Sequence, residues 1–444
     1  MINKMKKSYL FSAFAAGMVM LSACSSDGDL TGGDESNDAV QEIVLQVANT
    51  GEGLQTRAGR PLYSSQADQS IDKVKIIICN AAEGADKNKV VYAHTVENWN
   101  NDKVSQTYTT GGHGRKKTLL LTGNDRLAKG KYTIYAFGYS SEDCQYDNIN
   151  EAIVNINNDE IFNPNTVLNL KTPTTVKGEE IFAGSKENLV LDADDKGFAE
   201  AVVLNRQVAG TFGYFKDIPY VEGATTLQLV ASNPNTSLVL GKFGNLDLAN
   251  NGENTDHINY VINGTTPSSG LVIYSINLES WFGGPIADKD DNKLIDTDNW
   301  HNAIGDDKAK FKKGSVFGGS FLIPFAKVDG KNTFVLQLTN GKDVLKEWTV
   351  KLPSTDGQVN GAHNLFTWNG TGFISKEGAK DDQKTYNVVR NHLYGIGKRS
   401  LDKPIDPENP EPGTPDQPEP LNKKQELTLR VNDNWEVIHQ MELE

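Results

Sequence analysis

The chain has 444 residues, enough for two domains of ordinary size, and its formal net charge is −14. Because cationic contacts dominate the affinity for nucleic acid, this acidity argues against a nucleic-acid partner. It suits an exposed surface protein that stays in solution through its own charge. Hydrophobic residues at 37 % and charged residues at 23 % are typical of a globular protein with a large polar surface.

The N-terminus predicts a lipoprotein signal. Lysines at positions 4, 6 and 7 precede an apolar run at 9–20, which is too short to span a bilayer as a stable helix. The run ends in Leu21-Ser22-Ala23-Cys24, and small residues before a cysteine are typical of a lipobox. We therefore expect residues 1–23 to be a signal peptide and the Cys24 thiol to carry the lipid. An ordinary signal peptide followed by a chance cysteine is the alternative.

The two remaining cysteines differ in their surroundings. Cys79 closes an apolar run, so we expect it to be a buried small hydrophobic residue. Cys144 lies in a polar loop. A disulfide between them is conceivable in an oxidising compartment, and the sequence leaves that question open.

From residue 40 onward, short runs rich in β-branched and aromatic residues alternate with Gly, Asn and Asp, which predicts strands joined by turns. Segments of helical period are scarce, so an all-β fold of sandwich domains is expected. Residues 171–198 are polar and turn-rich, and we place a domain boundary near 195. The second domain is expected to open with residues 199–208 and to end near Ile396.

An acidic, proline-rich segment follows the second domain. Seven of the sixteen prolines of the chain lie between Pro404 and Pro420. We expect this segment neither to join a β-ladder nor to bury a core, but to run as an extended spacer. At ~3.1 Å per residue it would span roughly 50 Å.

Strand patterns return after the spacer, and one of them matches the first strand of the chain. Residues 42–49 and 426–433 align without gaps. Their apolar positions coincide in three pairs: Ile43 with Leu427, Leu45 with Leu429, and Val47 with Val431. Strand side chains alternate with period two, so both segments could fill one groove in the same register. Coincidence is the alternative. The tail then alternates again, with apolar residues at Trp435, Val437, Met441 and Leu443.

A protease site is predicted between this first strand and the rest of the chain. Arg57 lies in a loop of small residues, and cutting after it would leave Ala58 as the new N-terminus. Arg60 is the fallback, because proline follows it. Removal of strand 42–49 would expose a hydrophobic groove and an open edge that could receive another strand.

Seven features follow one another along the sequence: Leu21-Ser22-Ala23-Cys24, Thr56-Arg57-Ala58, Ile71-Asp72-Lys73-Val74-Lys75-Ile76, Leu204-Asn205-Arg206-Gln207-Val208-Ala209, Arg390-Asn391-His392-Leu393-Tyr394, the acidic proline spacer, and Trp435-Glu436-Val437. In this order of motifs the chain resembles the Bacteroidales fimbrillins, the subunits of lipoprotein-derived fimbriae.

The resemblance implies transthyretin-like β-sandwich domains and a propeptide removed by an arginine-specific protease. The C-terminal strand of one subunit then replaces the lost strand of its neighbour. Anchor subunits of that family escape cleavage and tip subunits often lack the donor strand, so a chain with both features resembles a shaft subunit. Its implied partners are identical subunits in a head-to-tail polymer, together with anchor and tip subunits. It implies a cell-surface location, with the precursor anchored in the outer membrane and the mature form in the fimbrium, supporting adhesion and biofilm formation.

These expectations divide the chain into six segments. They are a signal peptide at 1–23, a lipidated propeptide with a removable strand at 24–57, an N-terminal β-sandwich at 58–195, a C-terminal β-sandwich at 196–400, an acidic spacer at 401–421 and donor strands at 422–444.

No catalytic, cofactor or metal site is predicted. Asp288, Asp290 and Asn292 have the spacing that begins a calcium loop, but Lys293 replaces its glycine and Asn299 its final glutamate. The alternative to a fimbrial subunit is a glycan-binding surface lipoprotein of β-sandwich domains. Its stacking platforms would be Trp281, Phe282, Trp300 and Trp368. No constellation supports a secreted hydrolase.

Overall fold

Strands make up nearly all of the regular structure in the part of the chain that the computed structural model describes, which confirms the predicted all-β fold. The strand-forming runs are rich in branched and aromatic side chains, which pack well on a pleated surface. The described residues are 41–49, 71–108, 113–140, 145–164, 167–171, 179–192, 197–198, 201–239, 261–262, 270–304, 311–325, 328, 330–351, 365–368, 373–376, 384–386, 388, 393–397, 417–422, 426–428 and 430–432.

Nine strands come from the first half of the chain. They are β1 Gln41–Asn49, β2 Lys73–Asn80, β3 Val90–Val96, β4 Gln106–Tyr108, β5 His113–Leu121, β6 Gly130–Tyr139, β7 Val167–Asn169, β8 Phe182–Leu191 and β9 Val202–Arg206. A 3-10 turn at Gly123–Asp125 and a π-helical turn at Asn150–Val154 interrupt them.

The second half contributes the remaining described strands. They are β10 Ala209–Lys216, β11 Thr226–Ala231, β12 Ser237–Val239, β13 Val261–Ile262, β14 Leu271–Asn277, β15 Val316–Leu322, β16 Phe334–Thr339, β17 Val344–Lys351, β18 Leu365–Trp368, β19 Phe373–Lys376, β20 Leu393–Ile396, β21 Glu419–Pro420, β22 Glu426–Thr428 and β23 Arg430–Asn432. A single-turn helix, α1, spans Leu278–Phe282. Among the described residues, no helix is long and apolar enough to cross a bilayer.

Eight strands of the first half form one path, in the order β3-β2-β6-β8-β9-β1-β5-β4. The path curls over a shared core, because buried residues of β1 and β5 belong to the same hydrophobic cluster as Ile76 and Ile78 of β2. The other face of β2 carries Ile77 and Cys79 into a second, larger cluster. β2 is therefore buried on both faces, which explains its continuous apolar sequence.

The second half forms two sheets, β15-β10-β20-β23 and β14-β11-β16-β17-β22. Their inner residues share one core cluster, and Phe334 of β16 contacts Tyr394 of β20 with ring centroids 6.3 Å apart. Two sheets packed through a common core are the arrangement of a β-sandwich. Two small sheets, β12-β7 and β13-β18-β19, complete the described part.

The junction between the halves lies close to Gln207. The strand β9, within the residues expected to open the second domain, pairs instead with β8 and β1 of the first sheet. The second sandwich begins two residues later, with β10 at Ala209. The division of the chain into domains near residue 195 stays a prediction.

Cys79 is buried, as its apolar context predicts. Its thiol is free, and burial raises its pKa to about 12. Cys144 lies outside the described residues.

Candidate functional site

β1, the strand predicted to be removable, lies inside the first sheet rather than at its edge. It pairs antiparallel with β5 along all nine of its residues, from Gln41 opposite Leu121 to Asn49 opposite His113. On its other side three residues, Leu45 to Val47, pair parallel with β9. Loss of β1 would therefore open two backbone edges at once.

The inward side chains of β1 are buried as the alternation predicts. Ile43 is 1 % exposed and Leu45 is fully buried, while Glu42, on the opposite face of the strand, is exposed. Both aliphatic residues belong to the core cluster that also holds Leu119 and Leu204. Val47 continues the pattern in register, opposite Arg115 and Leu204, but its side chain lies outside the described part.

Gln41 adds a contact that the sequence analysis missed. Its side-chain Oε1 accepts the backbone N–H of Leu127 at 2.7 Å, and its Nε2 donates to the Leu127 carbonyl at 2.9 Å. Gln41 is only 3 % exposed. The sequence signal that would have found it is a glutamine immediately before each of the two matching strands, at 41 and 425.

The loop before β9 also depends on β1. Gly197 forms a parallel bridge with Glu42, and the N–H of Phe198 donates to the Glu42 carbonyl at 3.0 Å. Gly197 has φ +110°, and a Cβ there would collide with the Glu42 backbone. Glycine is required here both for the dihedral angle and for the close approach.

The predicted donor segment lies against its own chain in this single-chain structure. β22 pairs parallel with β17, placing Leu427 opposite Val350, and β23 pairs antiparallel with β20, placing Val431 opposite Tyr394. A stiff, acidic spacer is expected to disfavour folding of the tail back onto its own chain, and this placement departs from that expectation. Its physical reason is that the second sandwich offers two unpaired edges, β17 and β20.

The other predicted donor residues cannot be compared with the groove. Leu429, Trp435, Val437, Met441 and Leu443 lie outside the described residues.

The expectation that the spacer neither joins a ladder nor buries a core is wrong at its end. Glu419 and Pro420 pair parallel with β10, opposite Phe215 and Lys216. Leu421 is fully buried, and its N–H donates to the Lys216 carbonyl at 3.0 Å. Proline is tolerated because this edge pairing uses the N–H of the following leucine.

The processing residues Cys24, Arg57 and Ala58 lie outside the described residues. The lipid site and the protease site therefore stay predictions.

The aromatic residues proposed as glycan platforms pack inward where they are described. Trp281 and Phe282 are buried, and Trp300 lies beside Trp281 with ring centroids 6.3 Å apart. The Trp300 Nε1 donates to the Ser315 carbonyl at 2.6 Å. Trp281 and Phe282 therefore do not offer a stacking surface, Trp300 is half-buried against them, and the side chain of Trp368 is not described.

Backbone N–H groups that donate to Asp288 hold the acidic loop at 288–292 in place. The carboxylate of Asp288 accepts the N–H groups of Asn292 and Lys293 at 2.9 and 3.0 Å. Within the described residues no cluster of three or more His, Cys, Asp or Glu side chains could hold a metal ion.

No protein-family model matches the sequence, and no curated protein matches it. Solved structures of similar shape include the tip fimbrial protein Mfa3 from Porphyromonas gingivalis, at 11 % identity and TM-score 0.37, covering 80 % of this chain and 94 % of that one. A fimbrial assembly protein from Parabacteroides distasonis is similar at 11 % identity and TM-score 0.35, covering 81 % and 90 %. The fimbrial anchor protein Mfa2 from Porphyromonas gingivalis is similar at 13 % identity and TM-score 0.30, covering 68 % and 78 %. All three TM-scores lie below 0.5, so the functional proposal rests on the strands and contacts of this chain.

Proposed function

We propose that this chain is a structural shaft subunit of a surface fimbria and has no catalytic role. It is secreted as a lipoprotein anchored through Cys24 in the outer membrane and is cut after Arg57 by an arginine-specific protease. It then polymerises by donor-strand exchange, in which residues 426–444 of one subunit replace residues 42–49 of the next. Anchor and tip subunits complete the fimbrium, which supports adhesion and biofilm formation.

The observation that carries the proposal is the position of β1. It is the first described strand, it is held on both sides by β5 and β9, and Arg57 lies between its last residue, Asn49, and the start of β2 at Lys73. One cut there leaves β1 attached to the body only by non-covalent contacts. A strand in this position can therefore be exchanged without breaking any other connection of the chain.

The vacated groove would strongly favour a new occupant. Removing Ile43 and Leu45 exposes the buried side chains that pack around them, including Leu119 and Leu204. Each aliphatic side chain that refills such a site contributes ~1.5–3 kcal/mol. The strand also restores backbone hydrogen bonds to β5 and β9 that would otherwise be lost.

The tail gains pairing when it leaves its own body. Its two described strands are each three residues long, and these residues make three pairs with β17 and three with β20. The groove offers nine pairs along β5 and three along β9. Docking on a neighbour is therefore favoured once the groove is open. In the precursor, β1 fills the groove and the tail stays paired with β17 and β20 of its own chain.

The direction of growth follows from where the two ends lie. The groove belongs to the first sheet, and the tail follows the second sandwich. A contact between two different surfaces of identical subunits is head-to-tail, and it produces an open filament unless the rotation closes a ring.

The test compares three precursors after treatment with an arginine-specific protease: the natural chain, Arg57→Ala, and a chain lacking residues 425–444. The deletion begins after Leu421, which must be kept because it is buried and accepts a hydrogen bond from Trp348 Nε1 at 3.3 Å. We expect a ladder of oligomers on denaturing gels run without heating for the natural chain alone. A normal ladder from the tail-deleted protein would exclude exchange through this tail. Binding on a carbohydrate array by a protein that forms no ladder would support the glycan-binding alternative.

A further inference from the structure

Gln41 occupies a polar binding site next to the apolar groove, where it forms hydrogen bonds with the backbone of Leu127. Its carboxamide forms a two-point contact with the backbone of Leu127, accepting from the N–H and donating to the carbonyl. Leu127 is itself only 8 % exposed. When β1 departs, a donor and an acceptor that are buried in the precursor therefore lose their partners together.

The apolar alternation cannot fix the register of a strand that enters this groove. A slip of two residues keeps every side chain on its original face, so it moves one aliphatic residue into the site of the next. Such a slip displaces the strand by ~7 Å along its axis. The contact with Leu127 is sensitive to that displacement, because a side-chain amide that moves by this distance no longer reaches the same peptide.

The tail carries the same residue at the same place. Gln425 immediately precedes Glu426, as Gln41 precedes Glu42, and the three aliphatic pairs follow in step. We propose that Gln425 of one subunit binds the Leu127 backbone of the next in place of Gln41, and that this amide contact sets the register of the incoming strand. The proposal rests on the donor-strand exchange proposed above.

The wrong register is disfavoured by the same residue. A slip of two residues toward the C-terminal end of the groove places Gln425 where Ile43 lies, inside the apolar core. A carboxamide buried there without a partner is costly. Gln425 therefore stabilises one register and destabilises a competing one.

The register can be read from cross-strand disulfides. Val44 lies opposite Thr118. Thr428 aligns with Val44, so it should face Thr118 of the neighbour. A two-residue slip moves it opposite Lys116 or Leu120, and all three receptor side chains are exposed. Directly opposed Cβ atoms are ~4.5–5.5 Å apart, close to the spacing that a disulfide bridges.

We would therefore combine Thr428→Cys with Thr118→Cys, Lys116→Cys or Leu120→Cys in the full-length, protease-treated protein, with Cys144→Ser throughout. A disulfide between subunits gives a covalent ladder on non-reducing gels. With Gln425 present, the ladder is expected with the cysteine at 118 and not at 116 or 120. With Gln425→Ala, ladders should appear at 116 or 120 as well, and polymerisation should slow at least about tenfold because two buried hydrogen bonds are lost.

The matched control is Gln417→Ala, which removes an exposed glutamine from the same part of the chain and should leave rate and register unchanged. Gln425→Glu provides a second readout. Its carboxylate lacks the donor for the Leu127 carbonyl, but protonation below about pH 4 restores one donor and one acceptor. Relative to the natural chain at each pH, this variant should polymerise slowly at pH 7 and recover in acid.

The two proposals fail in different ways. If Gln425→Ala keeps its disulfide at 118 alone and polymerises at the natural rate, the role of Gln425 is wrong and strand exchange stands. If the cysteine variants that keep Gln425 form a polymer with no disulfide at any of the three positions, strand exchange through this groove is wrong, and the role of Gln425 is wrong with it.

Discussion

β1 and the tail strands β22 and β23 have matching sequences and different surroundings. β1 runs unbroken for nine residues between two neighbours, with Ile43 and Leu45 in the core. The tail is divided into two three-residue strands on the edges of two different sheets. The alternating pattern determines which side chains share a face. The length of the available strand edge, and the burial beside it, determine how many residues pair and how many side chains are buried. Among the described residues, the tail strands therefore make six residue pairs, whereas β1 makes twelve.

The largest difference in stability is expected between aspartate substitutions at matched positions of β1 and the tail. Leu45→Asp places a charge in the core of the first sheet, and we expect the uncleaved precursor to lose about 5 kcal/mol or more of unfolding free energy. Leu429→Asp, at the aligned tail position, should leave the precursor within about 1 kcal/mol of the natural chain and still block polymerisation after cleavage. Urea titration of both precursors and gels of the cleaved proteins measure this. Equal destabilisation by both changes would contradict the comparison.

The acceptor edge should remain in place when β1 leaves, because β9 has its own support. Arg206 of β9 forms a buried ion pair with Glu180, with 2.7 Å between Nε and Oε1, and lies over the Phe182 ring. Glu180→Ala leaves a buried charge without this partner and should cost about 3–5 kcal/mol in the precursor.

The control for Glu180→Ala is Asp192→Ala. It breaks an exposed pair with Lys129 and should cost less than about 1 kcal/mol. Similar denaturation midpoints for the two variants would show that β9 is held by other contacts.

The close approach of Gly197 to β1 should have an intermediate effect. Gly197→Ala forces a Cβ against the Glu42 backbone at a φ of +110° and should destabilise the precursor by about 1–3 kcal/mol. Gly84→Ala is the control, because Gly84 also has positive φ, +136°, but no atom lies within 4 Å of the added Cβ. Thermal unfolding of both variants separates the collision from the dihedral strain. A larger loss for Gly84→Ala would refute the contact.

The smallest effect concerns the face of β2 that points away from the groove. Cys79 lies in the larger core cluster, so its reactivity toward a thiol reagent should be low and should not change when β1 is cut free. Faster labelling of Cys79 after cleavage would mean that loss of β1 loosens both cores.

The raised thiol pKa also predicts a pH dependence. The pKa of the Cys79 thiol is 9.0 in the unfolded chain and about 12 in the folded chain. Between these two pH values the thiol loses its proton in the unfolded chain and keeps it in the folded chain. Stability should therefore fall as pH rises through this window. Compared with Cys79→Val, which has no titratable group, the natural chain should show the steeper fall in unfolding free energy between pH 9 and 10. Parallel curves would contradict a shifted thiol.

Several features could be predicted because they depend on local pattern. The strand at 42–49 and the burial of Ile43, Leu45 and Cys79 follow from alternation and apolar runs, and the structure confirms them. The contact of Gln41 could not be predicted, because Leu127 is 86 residues away and its peptide is a partner only after the chain folds. Likewise, Leu421 is the last residue of a proline-rich spacer, and only the edge of β10 explains its burial.

The sequence by itself determined the strand content, the faces of the strands and the repetition of one strand pattern at both ends of the chain. These depend on side-chain periodicity, which is local. Only the tertiary structure decided that β1 lies between β5 and β9, that β9 joins the first sheet, and that the tail rests on the edges of the second sandwich. Pairing of strands depends on which backbone edges remain unsatisfied after distant segments come together, and alternation along a single strand carries no information about those edges.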